Sequence, residues 1–177
     1  GSGLDVTTGF ASGTIASDGN NIDVEGNTNN NGVIVLSGGT LKSNNTSFWV
    51  NGGGGTGDHH SNGINNQGGT VISRRDFIQV SDGDDRYING IFSNGGSVTV
   101  KGSQFNVKGA NENNGILVTS GNLKVDYDVV GNNTTRATFD ISGTNSNGIR
   151  INGATSVKID HADFNVGGTN TNGILVQ

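Results

Sequence analysis

The chain of 177 residues contains no cysteine, no proline and no methionine. Without cysteine a disulfide scaffold is excluded, and without proline or glycine at every third position so is a collagen-like rod. Apolar residues are scarce as well, at 30% hydrophobic and 6% aromatic, well below the usual ~45–50%. The core must therefore be narrow. No apolar run approaches the ~18 residues that would span a bilayer. Basic residues are too few for a nucleic-acid partner: 10 Lys and Arg stand against 15 Asp and Glu, a net charge of −5, where phosphate binding needs a basic field. No charged segment followed by an apolar one opens the chain, so no export signal is read there. Gly1-Ser2-Gly3 reads as a cloning remnant, and residues 1–8 as an irregular entry.

What the chain does have is glycine, 32 in all. Each interior glycine costs a helix about 1 kcal/mol relative to alanine, and no stretch shows the 3.6-residue apolar period, so an all-α fold is excluded. Instead the step Asn-Gly-(Val/Ile) recurs with its glycine at 32, 63, 90, 115, 148 and 173. A Gly-x-aliphatic step follows, as in Gly39-Thr40-Leu41, Gly69-Thr70-Val71, Gly96-Ser97-Val98 and Gly121-Asn122-Leu123, with Thr155-Ser156-Val157 as the one departure. A third marker closes each repeat: Ile22-Asp23-Val24, Phe48-Trp49-Val50, Ile78-Gln79-Val80, Phe105-Asn106-Val107, Phe139-Asp140-Ile141 and Phe164-Asn165-Val166. Apolar and polar residues alternate within each marker, the pattern of a strand buried on one face. Asn and Gly separate the strands and supply the positive φ of sharp corners.

Three short strands and three corners per repeat predict an all-β fold: a right-handed, single-stranded parallel β-helix of about six coils of 25–33 residues, each strand pairing with its counterpart one coil away at ~4.8 Å. A single domain covers residues 1–177. Aligning the repeats stacks Ile22, Phe48, Ile78, Phe105, Phe139 and Phe164 in one inward column. Asn31, Asn62, Asn89, Asn114, Asn147 and Asn172 align in another, predicting an amide ladder of the kind seen in stacked strands.

Candidate sites come from departures from the repeat, because solenoids carry their insertions on one face, often the binding face. Two successive third corners are long, residues 51–61 and 81–88, and bring Asp58, His59 and His60 near Asp82, Asp84, Asp85, Arg86 and Tyr87. Carboxylates and imidazoles at that density suit calcium or a transition metal; a solvated polar loop is the plainer reading. A further insertion, Tyr127 to Ala137, swells a second corner.

Just past the second strand, alignment stacks Asp18, Asn44, Arg74, Lys101, Asp126 and Asp160. Asp126 and Asp160 then lie one strand spacing apart, ~5 Å, near the carboxyl separation of retaining glycosidases. His161 and Tyr127 adjoin them. This gives a weak set of catalytic candidates, Asp126, Asp160 and His161, against which ordinary charge compensation along a strand face is the simpler account. A third candidate is apolar: Phe92 and Leu117 point outward on adjacent coils, and Trp49 points outward on the third strand. Adjacent exposed apolar residues mark a surface that packs on something, a sugar ring or a protein. Trp49, Phe92, Leu117, Tyr87 and Arg86 are the resulting ligand-binding candidates. The glycine-rich stretch from Gly52 to Gly55 has no Lys-Ser/Thr step and opens no helix, so no phosphate loop is present.

With its Asn-Gly-Ile corners, Gly95-Gly96-Ser97-Val98-Thr99-Val100, its Phe-Asn-Val steps and its lack of cysteine, the chain resembles the β-helical passenger domains of autotransporter (type V secreted) adhesins. The resemblance extends from about Gly9 onward and is one of pattern, with no family site residue to carry over. It implies a passenger that crosses the outer membrane unfolded and folds outside, at the cell surface or released. It implies attachment to a host surface protein or glycan, or to a sister cell's copy. No enzymatic activity is expected, for want of a credible active site, no nucleic-acid partner on the ground of charge, and no membrane insertion of this segment. No cofactor is expected, calcium in the long corners aside. The chain stops within a first strand, at Asn172-Gly-Ile-Leu-Val-Gln177, which reads as a segment of a longer passenger. The alternatives are a structural or self-associating β-helix spacer, and a polysaccharide-processing β-helix enzyme or phage tail-fibre-like module.

Overall fold

The computed structural model describes residues 14–26, 29–52, 59–82 and 87–177, together with the backbone strand Ser2–Val6. The described chain is a parallel β-solenoid of six turns, built from strands that each pair with the equivalent strand of the next turn. First-leg strands begin at or just before the repeated Asn-Gly step and stack in the order Ser2–Val6, Asn31–Leu36, His60–Gln67, Tyr87–Lys101, Glu112–Asp126, Asn147–Ile151 and Asn172–Val176. Third-leg strands Asn21–Gly26, Ser47–Gly52, Phe77–Asp82, Gln104–Gly109, Ala137–Thr144 and Ala162–Thr169 form a second sheet. The register keeps the sequence columns intact: Phe48 lies opposite Ile78, Phe105 opposite Ile78 and Phe139, and Phe139 opposite Phe164.

Three details differ from the sequence reading. Ser2–Val6, expected as irregular entry, is a strand in register with Asn31–Leu36, Leu4 facing Val33. The first and second strands are not separate in every coil. Tyr87–Lys101 and Glu112–Asp126 run through both legs as single strands, because the corner between them is a bend at Gly95, Gly96 and Gly121, all at positive φ, that keeps pairing across it: Ser97 N–H donates to Gly69 O at 2.9 Å.

The glycine of the Asn-Gly step, in turn, is not there for positive φ, which Asn29, Asn145 and Asn170 carry instead, two residues before the ladder asparagines. Close approach requires it. A Cβ on Gly90 would sit 2.5 Å from the carbonyl oxygen of Gly115 and 2.6 Å from a Phe105 ring carbon. The third-leg aromatics therefore pack flat against the backbone of the first leg, and Phe105, Phe139 and Phe164 stack at 4.7 and 4.9 Å between centroids.

Inside, the aliphatic columns are almost fully buried from Val33 through Ile149. A polar ladder runs beside them at the second corner. Asp76, buried in it, accepts from Ser43, from Ser73 Oγ at 2.7 Å and from Thr46 N–H at 2.9 Å. Burial pushes its carboxyl above the ordinary aspartate value against the pull of those bonds. The insertion after Asp126 is a hairpin, Asp128–Val130 against Asn133–Thr135, which lays the buried Asp128 carboxylate on Arg74 Nε at 2.7 Å and near Arg75 Nε at 3.1 Å. No helix among the described residues is long and apolar enough to cross a membrane.

Candidate functional site: a groove along the first leg

The Asn-Gly repeat makes the floor of the site. Asn62 Nδ2 donates to Asn31 Oδ1, Asn89 to Asn62 and Asn114 to Asn89, all at 2.9 Å, and Asn147 to Asn114 and Asn172 to Asn147 at 3.0 Å. All five bonds point the same way, so the amide dipoles align and polarise one another. Packed this tightly, Asn31 through Asn147 are buried although they face outward, and the sheet is recessed along their line.

Walls rise on both sides of that recess. Two residues before the ladder, three strands start early and place His60, Tyr87 and Glu112 in adjacent register, where the coils on either side turn through Asn29 and Asn145 at positive φ. The His60 and Tyr87 rings stack at 4.8 Å, 9° from parallel. Three residues after the ladder, Asn65, Phe92, Leu117 and Arg150 stand in register as the opposite wall. Asn65 Nδ2 also donates to Asn31 Oδ1 at 3.1 Å, tying wall to floor. The groove between the walls has a volume of about 530 Å³ and reaches from Asn29 to Asn152.

An ion pair crosses the groove near its far end: Arg150 Nη1 lies 2.7 Å from Glu112 Oε2. The same guanidinium donates to Gln177 Oε1 through Nε at 3.2 Å and Nη2 at 3.0 Å. Beyond the pair a second depression, about 420 Å³, is lined by Asn145, Asn147, Asn170, Asn172, Leu175 and Gln177. The bridge thus divides an aromatic compartment from one lined mainly by amides.

Of the ligand-binding candidates read from sequence, the structure brings Phe92, Leu117 and Tyr87 together in this groove. Trp49 belongs elsewhere. It lies on the third-leg sheet, in register with Asp23 and Gln79, with its ring 5.2 Å from Phe77. Arg86 lies outside the described residues, as do Asp58, Asp84 and Asp85. Of the described members of the proposed metal cluster, His60 is stacked in the groove wall and Asp82 is buried where a Cβ on Gly52 would collide with its carboxylate. Among the described residues no three His, Cys, Asp or Glu side chains are grouped to hold a metal ion.

The charge column stacks as its alignment requires, with Lys101 beside Arg74 and Asp126, and Asp160 N–H bonded to Val125 O at 2.8 Å. Asp126 and Asp160 are each paired with a lysine two residues earlier, Asp126 with Lys124 at 3.0 Å and Asp160 with Lys158 at 2.8 Å. The hydrogen bond from Lys124 holds the Asp126 carboxyl below the ordinary aspartate value, opposite to the shift a general acid requires. His161 sits at positive φ with its ring edge-on to Tyr127 at 4.6 Å, a corner position shared with Asn45 and Arg75.

Glu112 and Asn29 are groove residues the sequence reading did not single out, and His60 was assigned there to a metal; Asn65 and Arg150 share the aligned outward column of Phe92 and Leu117 but were not named as ligand-binding candidates. The signal for Glu112 and Asn29 was a fixed offset, two before the ladder asparagine, visible only once the ladder is taken as a floor. No family model, no curated protein and no solved structure matches the chain.

Proposed function

We propose that the chain is a non-catalytic adhesive segment, similar in role to the β-helical passengers of autotransporter adhesins, which works outside the cell or on its surface. It attaches to a host surface glycan or protein, or to a sister cell's copy, through the first-leg face. One observation carries this reading: a groove that crosses five coils and is walled by rings, amides and one ion pair, the combination of apolar surface and few placed polar groups that marks ligand sites. The lysine-paired state of Asp126 and Asp160 favours binding over glycoside cleavage on this solenoid. An array of glycans and matrix proteins probed with the purified chain, with the bound polysaccharides assayed for new reducing ends, tests it. Capture without cleavage is expected; new reducing ends would overturn it, and capture of nothing would leave the solenoid a spacer.

A further inference from the structure

We propose that the groove takes a neutral oligosaccharide laid along the solenoid axis, a proposal that rests on reading the chain as a binding module. Strands run across the groove, and in the interior coils their backbone groups are committed to the rungs on either side. A peptide lying along the axis would find no strand edge to pair with, so recognition falls to side chains alone.

Those side chains are of one kind. Asn65 and Asn152 present amides, His60 an imidazole, Tyr87 a phenol and Thr119 a hydroxyl. Nearly all both donate and accept hydrogen bonds, as sugar hydroxyls do. Between them stand the stacked His60 and Tyr87 rings on one wall and the apolar side chains of Phe92 and Leu117 on the other, against which the C–H groups of a pyranose can pack. The wall positions recur at each coil although their residues differ, so a chain of sugar units lying along the axis is walled on both sides over four coil spacings of ~4.8 Å, roughly 19 Å.

Charge selects against other occupants. Glu112 and Arg150, 2.7 Å apart, neutralise each other, and among the described residues no other Asp, Glu, Lys or Arg lines the groove. A uronate or sialate would have to displace Glu112 from Arg150, giving up one charge-assisted hydrogen bond to make another. Among the described residues a polyanion finds a single guanidinium, already occupied.

The test is calorimetric titration with neutral gluco-, galacto-, manno- and N-acetylglucosamine oligomers of increasing length, alongside sialylated and uronate oligomers and the matrix proteins of the array. A neutral series should bind with affinity that rises with length until the groove is filled. Tyr87→Ala and Phe92→Ala should each weaken it about tenfold with Trp49→Ala unchanged, and circular dichroism melts should report folding of each variant. Leu117→Arg, which sets a charged side chain across the groove, keeps the test open should an alanine variant unfold, and should abolish binding. Binding confined to acidic glycans or to a protein, but still lost on groove substitution, overturns the neutral-sugar inference and leaves the binding-module reading standing. Binding indifferent to Tyr87, Phe92 and Leu117 overturns the groove as the site. Capture of no glycan and no protein overturns both.

Discussion

On the first leg the coils from Asn31 to Asn172 each sink an asparagine into a hydrogen-bonded line, and residues two before and three after it wall the groove. On the second leg every coil sets a polar or charged residue at the same height on a flat face, from Asp18 and Asn44 through Arg74 and Lys101 to Asp126 and Asp160. The second leg has more charge and the first has the groove. Charges on a flat strand face neutralise along the strand, as Lys124 does for Asp126, and exposed pairs of this kind contribute little. A recess lets neutral side chains converge on one volume. In this solenoid the density of ionisable groups is a poor guide to the binding surface, and the shape left by the ladder is a better one.

The deepest way to break the comparison is to remove the scaffold that both faces share. Phe105→Ala empties a site bounded by the Phe139 ring and the Gly90 backbone and should cost about 3–5 kcal/mol, read from urea unfolding; stability equal to wild type would refute the inward stack. Next, Asn89→Ala removes a middle rung of the ladder and leaves Asn62 Oδ1 and Asn114 Nδ2 without their ladder partners. A loss of about 1–3 kcal/mol is expected, together with weaker ligand capture, because the floor is structural first and a binding surface second. Retained melting temperature would mean the floor is not held by its amides.

A third test separates the outer faces from the polar ladder inside. Burial raises the folded Asp76 carboxyl above its ordinary value, whereas in the unfolded chain it titrates near ~3.9. The folded state therefore holds the proton more tightly, and the contribution of Asp76 to stability falls as pH rises from ~3.9 through its raised folded value. Asp76→Asn should flatten that part of the stability–pH curve. An unchanged curve would show the carboxyl is not shifted. The smallest effect belongs to the second leg: Asp126→Asn with Asp160→Asn should change stability by no more than about 0.5 kcal/mol and leave ligand capture intact. Lost capture in that variant would move the site to the charge column.

The repeat made the inner columns and the amide ladder legible, because stacking in register converts a sequence period directly into a spatial column. It could not show that two coils fuse their first and second legs. That depends on whether the corner glycines bend within a continuous ladder, as Gly95 and Gly96 do, and no residue count distinguishes a bend from a break. Phe92 and Leu117 were recognisable as adjacent outward residues, and Trp49, read as outward on the third strand, stands on the other sheet and not in the groove. The wall of His60, Tyr87 and Glu112 was hidden for a conformational reason. Its position is turn in the coils of Asn29 and Asn145 and strand in these three, so the offset from the ladder does not by itself show where the wall is built from a strand that starts early.

The central claim is that ligands meet this chain in the first-leg groove, and side-chain NMR with the tightest ligand from the array tests it most directly. The His60 and Tyr87 ring resonances and the Asn65 side-chain amide should shift on titration, while the indole N–H of Trp49, the single tryptophan, stays in place. A titration that moves the Trp49 indole and leaves His60, Tyr87 and Asn65 unmoved would contradict the account.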